Sequence, residues 1–131
     1  MIERDYIMRM IAQLSAVLAK VLFAKQAGQY QEAGQLIQKS YEELFGLSAE
    51  LLDSLDAETL AGLFGEREKM KALATLLREE GDVFAAQKEE MKSRQRYAKS
   101  LGLFQRLLPT DDAAIRDAVS ALQSKLGAME K

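Results

Sequence analysis

A helix has to end at Gly28, and another has to begin almost at once. The run Lys25-Gln26-Ala27-Gly28-Gln29-Tyr30-Gln31-Glu32-Ala33 joins two stretches of helical periodicity. Glycine takes the left-handed backbone conformation that stops a helix without a Cβ clash. Tyr30 supplies a large ring at the corner, and Ala33 is small enough to let the returning helix lie close to the first. These residues predict an antiparallel helical hairpin, the unit from which helical interaction modules are stacked.

The rest of the chain points the same way. Pro109 is the one proline, and helix-favouring Ala, Leu, Glu, Lys, Gln and Arg dominate, so the expected fold is all-α. The 131 residues, 48% of them hydrophobic, suit one domain with its own core. Spacing and punctuation predict helices over about 3–27, 30–46, 49–54, 57–64, 66–87, 89–107 and 112–126. They group into a first hairpin (1–46), a short-helix insertion (47–65), a second hairpin (66–108) and a C-terminal helix (109–131). Ser48 and Asp56 are the expected caps of the two short helices, and Thr110 or Asp111 that of the last. Gly46 and Gly127 are expected stops, Ala128–Lys131 is expected to fray, and the Lys88 corner, lacking glycine, fits either a one-residue break or a continuous bent helix. Gly81 sits inside the Met70, Leu73, Leu77, Phe84 pattern, where it costs about 1 kcal/mol relative to alanine. A neighbouring helix passing close by would offset that.

The first helix is unusually broad in its apolar sector. Ile7, Ile11, Leu14, Leu18 and Val21 form one stripe; Tyr6, Met10, Val17 and Ala24 form a second beside it. One packing partner covers one stripe, so Tyr6, Met10 and Val17 are a candidate self-association or partner surface. Glu3, Asp5, Arg9, Gln13 and Lys20 interrupt the segment, which argues for a mature helix over a signal peptide. No window approaches about 20 uninterrupted apolar residues, so a membrane-spanning helix is not expected. Nor is membrane-surface binding, because a one-sided lysine-rich face is missing.

The net charge of −2 hides a segregation. Glu32, Glu42, Glu43, Glu50, Asp53, Asp56 and Glu58 face only Lys39 in their stretch, whereas Lys88, Lys92, Arg94, Arg96, Lys99 and Arg106 face only Glu89 and Glu90. Lys88, Lys92, Arg96 and Lys99 are spaced by four, four and three, which puts them on one helix face. Such a face is a solvated surface, a contact for an acidic protein or subunit, or a track for a phosphate backbone.

Both long hairpins resemble tetratricopeptide repeats, helix–turn–helix units of about 34 residues with small and large residues at fixed offsets. In the first, Gly28, Tyr30 and Ala33 match the turn and the small residue that follows, and Ile37 and Ser40 match later large and small positions. Val17, Lys20, Val21 and Ala24 fit the earlier positions poorly. In the second, Leu77, Gly81 and Phe84 match the first helix of the repeat, and Ser93, Tyr97 and Ser100 its second. The resemblance implies stacked hairpins and binding of other macromolecules. The opening Met1-Ile2-Glu3-Arg4-Asp5-Tyr6-Ile7, with Arg9 and Ile11, also resembles a family of short uncharacterised bacterial proteins with a repeat-like helical fold, which implies no activity.

Chemistry is scarce. Without histidine or cysteine, the commonest general base, the usual zinc ligands and the strongest nucleophile are missing together. The adjacent pairs Glu42-Glu43, Glu79-Glu80, Glu89-Glu90 and Asp111-Asp112 diverge by about 100° on a helix and do not converge on one ion. Gly62, Gly65 and Gly81 fit neither phosphate-loop spacing. The expectation is a non-catalytic, cytoplasmic protein–protein interaction or scaffold module without catalytic, metal or cofactor residues, self-associating and binding a protein partner. The alternative is a small nucleic-acid-associated protein using the basic face; no membrane partner is expected.

Overall fold

The computed structural model describes residues 2–130. Met1 and Lys131, with the fraying expected at Lys131, lie outside the described residues. Among those described, the chain forms seven α-helices and no strand: α1 (Ile2–Gln26), α2 (Tyr30–Phe45), α3 (Ala49–Ser54), α4 (Ala57–Leu63), α5 (Arg67–Ala86), α6 (Glu90–Gln105) and α7 (Ala113–Met129). They fall into two compact units, 1–54 and 55–131, so the division runs through the middle of the expected insertion.

In the first unit, α1 and α2 form a hairpin. Gly28 adopts φ 75°. Its N–H donates to the Lys25 carbonyl at 3.0 Å, and the Gln29 N–H donates to the Ala24 carbonyl at 2.8 Å, which closes the end of α1. Ala33 on α2 is completely buried, with Ile37, Ser40 and Tyr41 on the same face, while Ile7, Met10, Leu14, Val21 and Ala24 are the buried side of α1. Gly46 stops α2 at φ 65°. The Ser48 hydroxyl then accepts the Leu51 N–H at 3.2 Å to start α3.

The second unit is built on the α5–α6 hairpin, with α4 and α7 each packed against α6. The Asp56 carboxylate caps α4 by accepting the Thr59 N–H at 2.8 Å. The α5–α6 corner spans residues 87–89, a clean three-residue break in place of the expected one-residue break or continuous bent helix, with Lys88 at its centre at φ 64°. Pro109 follows the end of α6, as its blocked backbone requires. The start of α7 differs from expectation by one step: Asp112 is the cap, accepting the Ala114 N–H at 2.9 Å, and Thr110 supports it by accepting the Asp112 N–H at 3.1 Å. Its end differs too. Gly127 does not stop α7, which continues to Met129. The Arg94 guanidinium donates to the Met129 carbonyl at 2.8 Å and satisfies one of the last acceptors of the extended helix.

Candidate interaction surfaces

The α5–α6 seam explains where the basic residues go. Gly81 leaves room for the Tyr97 ring: a Cβ built at position 81 would lie 2.5 Å from two ring carbons. The Ser93 hydroxyl donates to the Gly81 carbonyl at 2.8 Å, and the Ser100 hydroxyl to the Ala74 carbonyl at 2.6 Å. The small residues of α6 thus tie its backbone to that of α5. The Tyr97 hydroxyl reaches out of the seam and donates to Asp82 at 2.5 Å, and Lys125 from α7 pairs with the same carboxylate at 2.9 Å. Burial, and then the Asp82 carboxylate, push the Tyr97 phenol well above its ordinary pKa.

Arg96 lies on this seam. It is 3% exposed and its Nε donates to Glu80 at 2.5 Å, while another guanidinium nitrogen donates to Gln95 at 2.7 Å. Lys99 is also buried, at 8% exposure. Its charge helps hold the Asp56 carboxyl below the usual range, after the larger effect of the Thr59 backbone and hydroxyl donors. Lys88 and Lys92 alone of the expected row are exposed. Lys92 pairs loosely with Glu89 at 3.7 Å and lies 5.7 Å from the Phe84 ring centroid. The four-cation face is therefore corrected to two exposed lysines. Lys92, Arg96 and Lys99 do share one side of α6, but Lys88 falls in the corner before the helix begins, and the side that carries the other three turns inward at Arg96, toward Glu80. Glu80 was legible as a core acid, since it stands seven residues after Leu73 and three after Leu77 on α5.

The α1 surface is corrected in the same way. Met10 is 3% exposed and Ala24 is buried with it; Val17 is partly covered, and of the three named residues Tyr6 alone is half-exposed. What α1 leaves uncovered is the opposite face. Met8 is 55%, Leu22 51% and Phe23 72% exposed, and Ala12, Ser15, Ala16 and Ala19 between them are exposed as well. At about 100° per residue these fall on one strip away from the buried side. Reading the apolar sector as two adjacent stripes hid this third one. The best 18-residue window within Arg4–Gln26 has a mean hydropathy of 1.7, so by length and composition this helix is apolar enough to cross a membrane despite Arg9 and Lys20, contrary to the expectation from uninterrupted runs; a core helix and a signal sequence meet the same criterion.

Two shallow concavities lie in the second unit. The larger, about 570 Å³, is walled by Lys88, Tyr97, Lys125 and Met129. The other, about 530 Å³, is walled by Leu108, Pro109, Arg116 and Val119. Among the described residues no group of three or more acidic side chains is placed to hold a metal ion.

These features define a protein that is helical throughout its described elements, with small residues in its hairpin seams and exposed large apolar side chains along the outer face of α1. The chain belongs to a family of unknown function (DUF6483), which matches residues 1–126. No curated protein and no solved structure matches it.

Proposed function

We propose that the chain is a non-catalytic, self-associating interaction module of the cytoplasm, with its hairpins arranged in the manner of tetratricopeptide repeats. The observation that carries this reading is the outer face of α1, where Met8, Leu22 and Phe23 stand half or more exposed on a single helix. The exposed apolar patches of a few hundred Å² that monomers carry are often functional contact sites. The repeat-like arrangement is supported by Ala33 and Gly81 at the two hairpin crossings and by the Ser93, Tyr97, Ser100 sequence along the α5–α6 seam. In this reading residues 1–131 unfold as one cooperative domain.

The nucleic-acid alternative loses support, because Arg96 and Lys99 are withdrawn from the face it needs. Sedimentation equilibrium tests the main reading. The weight-average mass rises toward twice that of the chain as concentration increases; a constant monomer mass at every concentration overturns self-association.

A further inference from the structure

The outer strip of α1 reads nearly the same in both directions. About a centre between Ser15 and Ala16, Met8 on one side answers Phe23 on the other, and Ala12 answers Ala19. Large residues stand at both ends and small ones in the middle, all of them exposed. A two-fold contact requires a patch that complements itself. This strip does so when two copies lie antiparallel: Met8 of each meets Leu22 and Phe23 of the other, and Ala12, Ser15, Ala16 and Ala19 let the backbones approach at the crossing. We infer that the outer face of α1 is the self-association surface, with a second copy of this chain as its occupant and an antiparallel pair of α1 helices as its core. This rests on the self-association reading above and gives it a face and a direction.

Size and charge sharpen the inference. The stretch from Met8 to Phe23 is roughly 23 Å long and about 10 Å wide, well short of the ~800 Å² per partner of a standard interface. The pair therefore dissociates on dilution. Arg9 and Lys20 are exposed along one border of the strip. In the antiparallel pair, Arg9 of one copy comes to the same border as Lys20 of the other. Added salt screens that repulsion and strengthens the dimer. An anionic lipid surface, which this cation-bordered face would also attract, gives the opposite dependence on salt.

The chain has no cysteine, so single-cysteine variants report one position each. Under mild oxidation, Ser15→Cys links to itself. Met8→Cys does not, because its two copies stand about 22 Å apart along the pair, but it links to Phe23→Cys when the two variants are mixed. All three sites are exposed, and circular dichroism confirms that each variant keeps its helix content. If sedimentation shows a dimer while Ser15→Cys stays unlinked, the face is wrong and self-association through another surface stands. If Met8→Cys links to itself as fast as Ser15→Cys, the antiparallel direction is wrong. If the chain stays monomeric yet pellets with phosphatidylserine-containing vesicles, and less so as salt rises, the strip is a lipid surface and both the inference and the self-association reading fail.

Discussion

Two corners of this molecule close with the same pair of backbone hydrogen bonds on different residues. At the first, Gly28 sits at φ 75°, with bonds from Gly28 to Lys25 and from Gln29 to Ala24. At the second, Lys88 sits at φ 64°, with bonds from Lys88 to Ala85 at 3.1 Å and from Glu89 to Phe84 at 2.9 Å. A lysine in the left-handed region costs roughly 1–2 kcal/mol that glycine avoids. The second hairpin sustains that cost because its seam is cross-tied: the Arg96–Glu80 pair and the Ser93 and Ser100 hydroxyls bind the middle of α6 to α5 between Gly81 and Ala74. The first hairpin's buried faces are largely apolar, and its turn takes the residue that bends without strain. Local propensity decides a turn where packing is permissive, and packing overrides it where the flanking helices are already fixed.

The largest test of this contrast is Arg96→Ala, which leaves Glu80 charged and buried without its guanidinium. Destabilisation of about 3–5 kcal/mol is expected, read from the midpoint of urea unfolding, whereas replacing Arg96 and Glu80 together with Met and Leu recovers most of the loss. Gly81→Ala comes next. The new methyl collides with the Tyr97 ring, and about 1–3 kcal/mol is lost. Pairing it with Tyr97→Leu removes the collision, so the double variant is less damaged than the sum of its parts.

The corners themselves give the next effect. Gly28→Ala places a Cβ in the left-handed region and lowers stability by about 1 kcal/mol, while Lys88→Gly raises it by roughly 0.5–1 kcal/mol, relief of strain being partly offset by glycine's entropy. Equal responses at the two corners would erase the contrast.

Titration gives the smallest effect. The Tyr97 phenol holds its proton more tightly folded than unfolded, so its contribution is intact below about pH 10 and falls as the unfolded chain ionises above it. Tyr97→Phe flattens that alkaline decline in a pH series of melts. Asp112 has the opposite sign. Its Lys71 partner, at 2.6 Å, holds the carboxyl below the usual range, so the stability it adds is present above about pH 4 and is lost as pH falls through its folded pKa. Lys71→Met reduces that acid-side loss, the part due to the Ala114 backbone donor remaining.

The helices were largely legible because periodicity, Gly28, Gly46, Ser48, Asp56 and Pro109 each act locally. The surfaces were not. Spacing puts Lys92, Arg96 and Lys99 on one side of α6 but carries no record of which way that side faces, nor that the helix starts only after Lys88; the inward turn at Arg96 is set by Glu80 on another helix. Likewise α1 is apolar nearly all round, so its pattern cannot rank Met10 above Met8. Only the position of α2 against Val21 and Ala24 does so. The Lys88 corner escaped for a related reason: a strained residue there is held by contacts distant in the chain.

The empty place at Gly81 has a consequence for lineage. The thickness of one aromatic ring sets the gap between α5 and α6, so positions 81 and 97 constitute a single lock. A descendant that enlarges the first must shrink the second in step, and relatives carrying a bulkier residue at 81 should be found without an aromatic at 97.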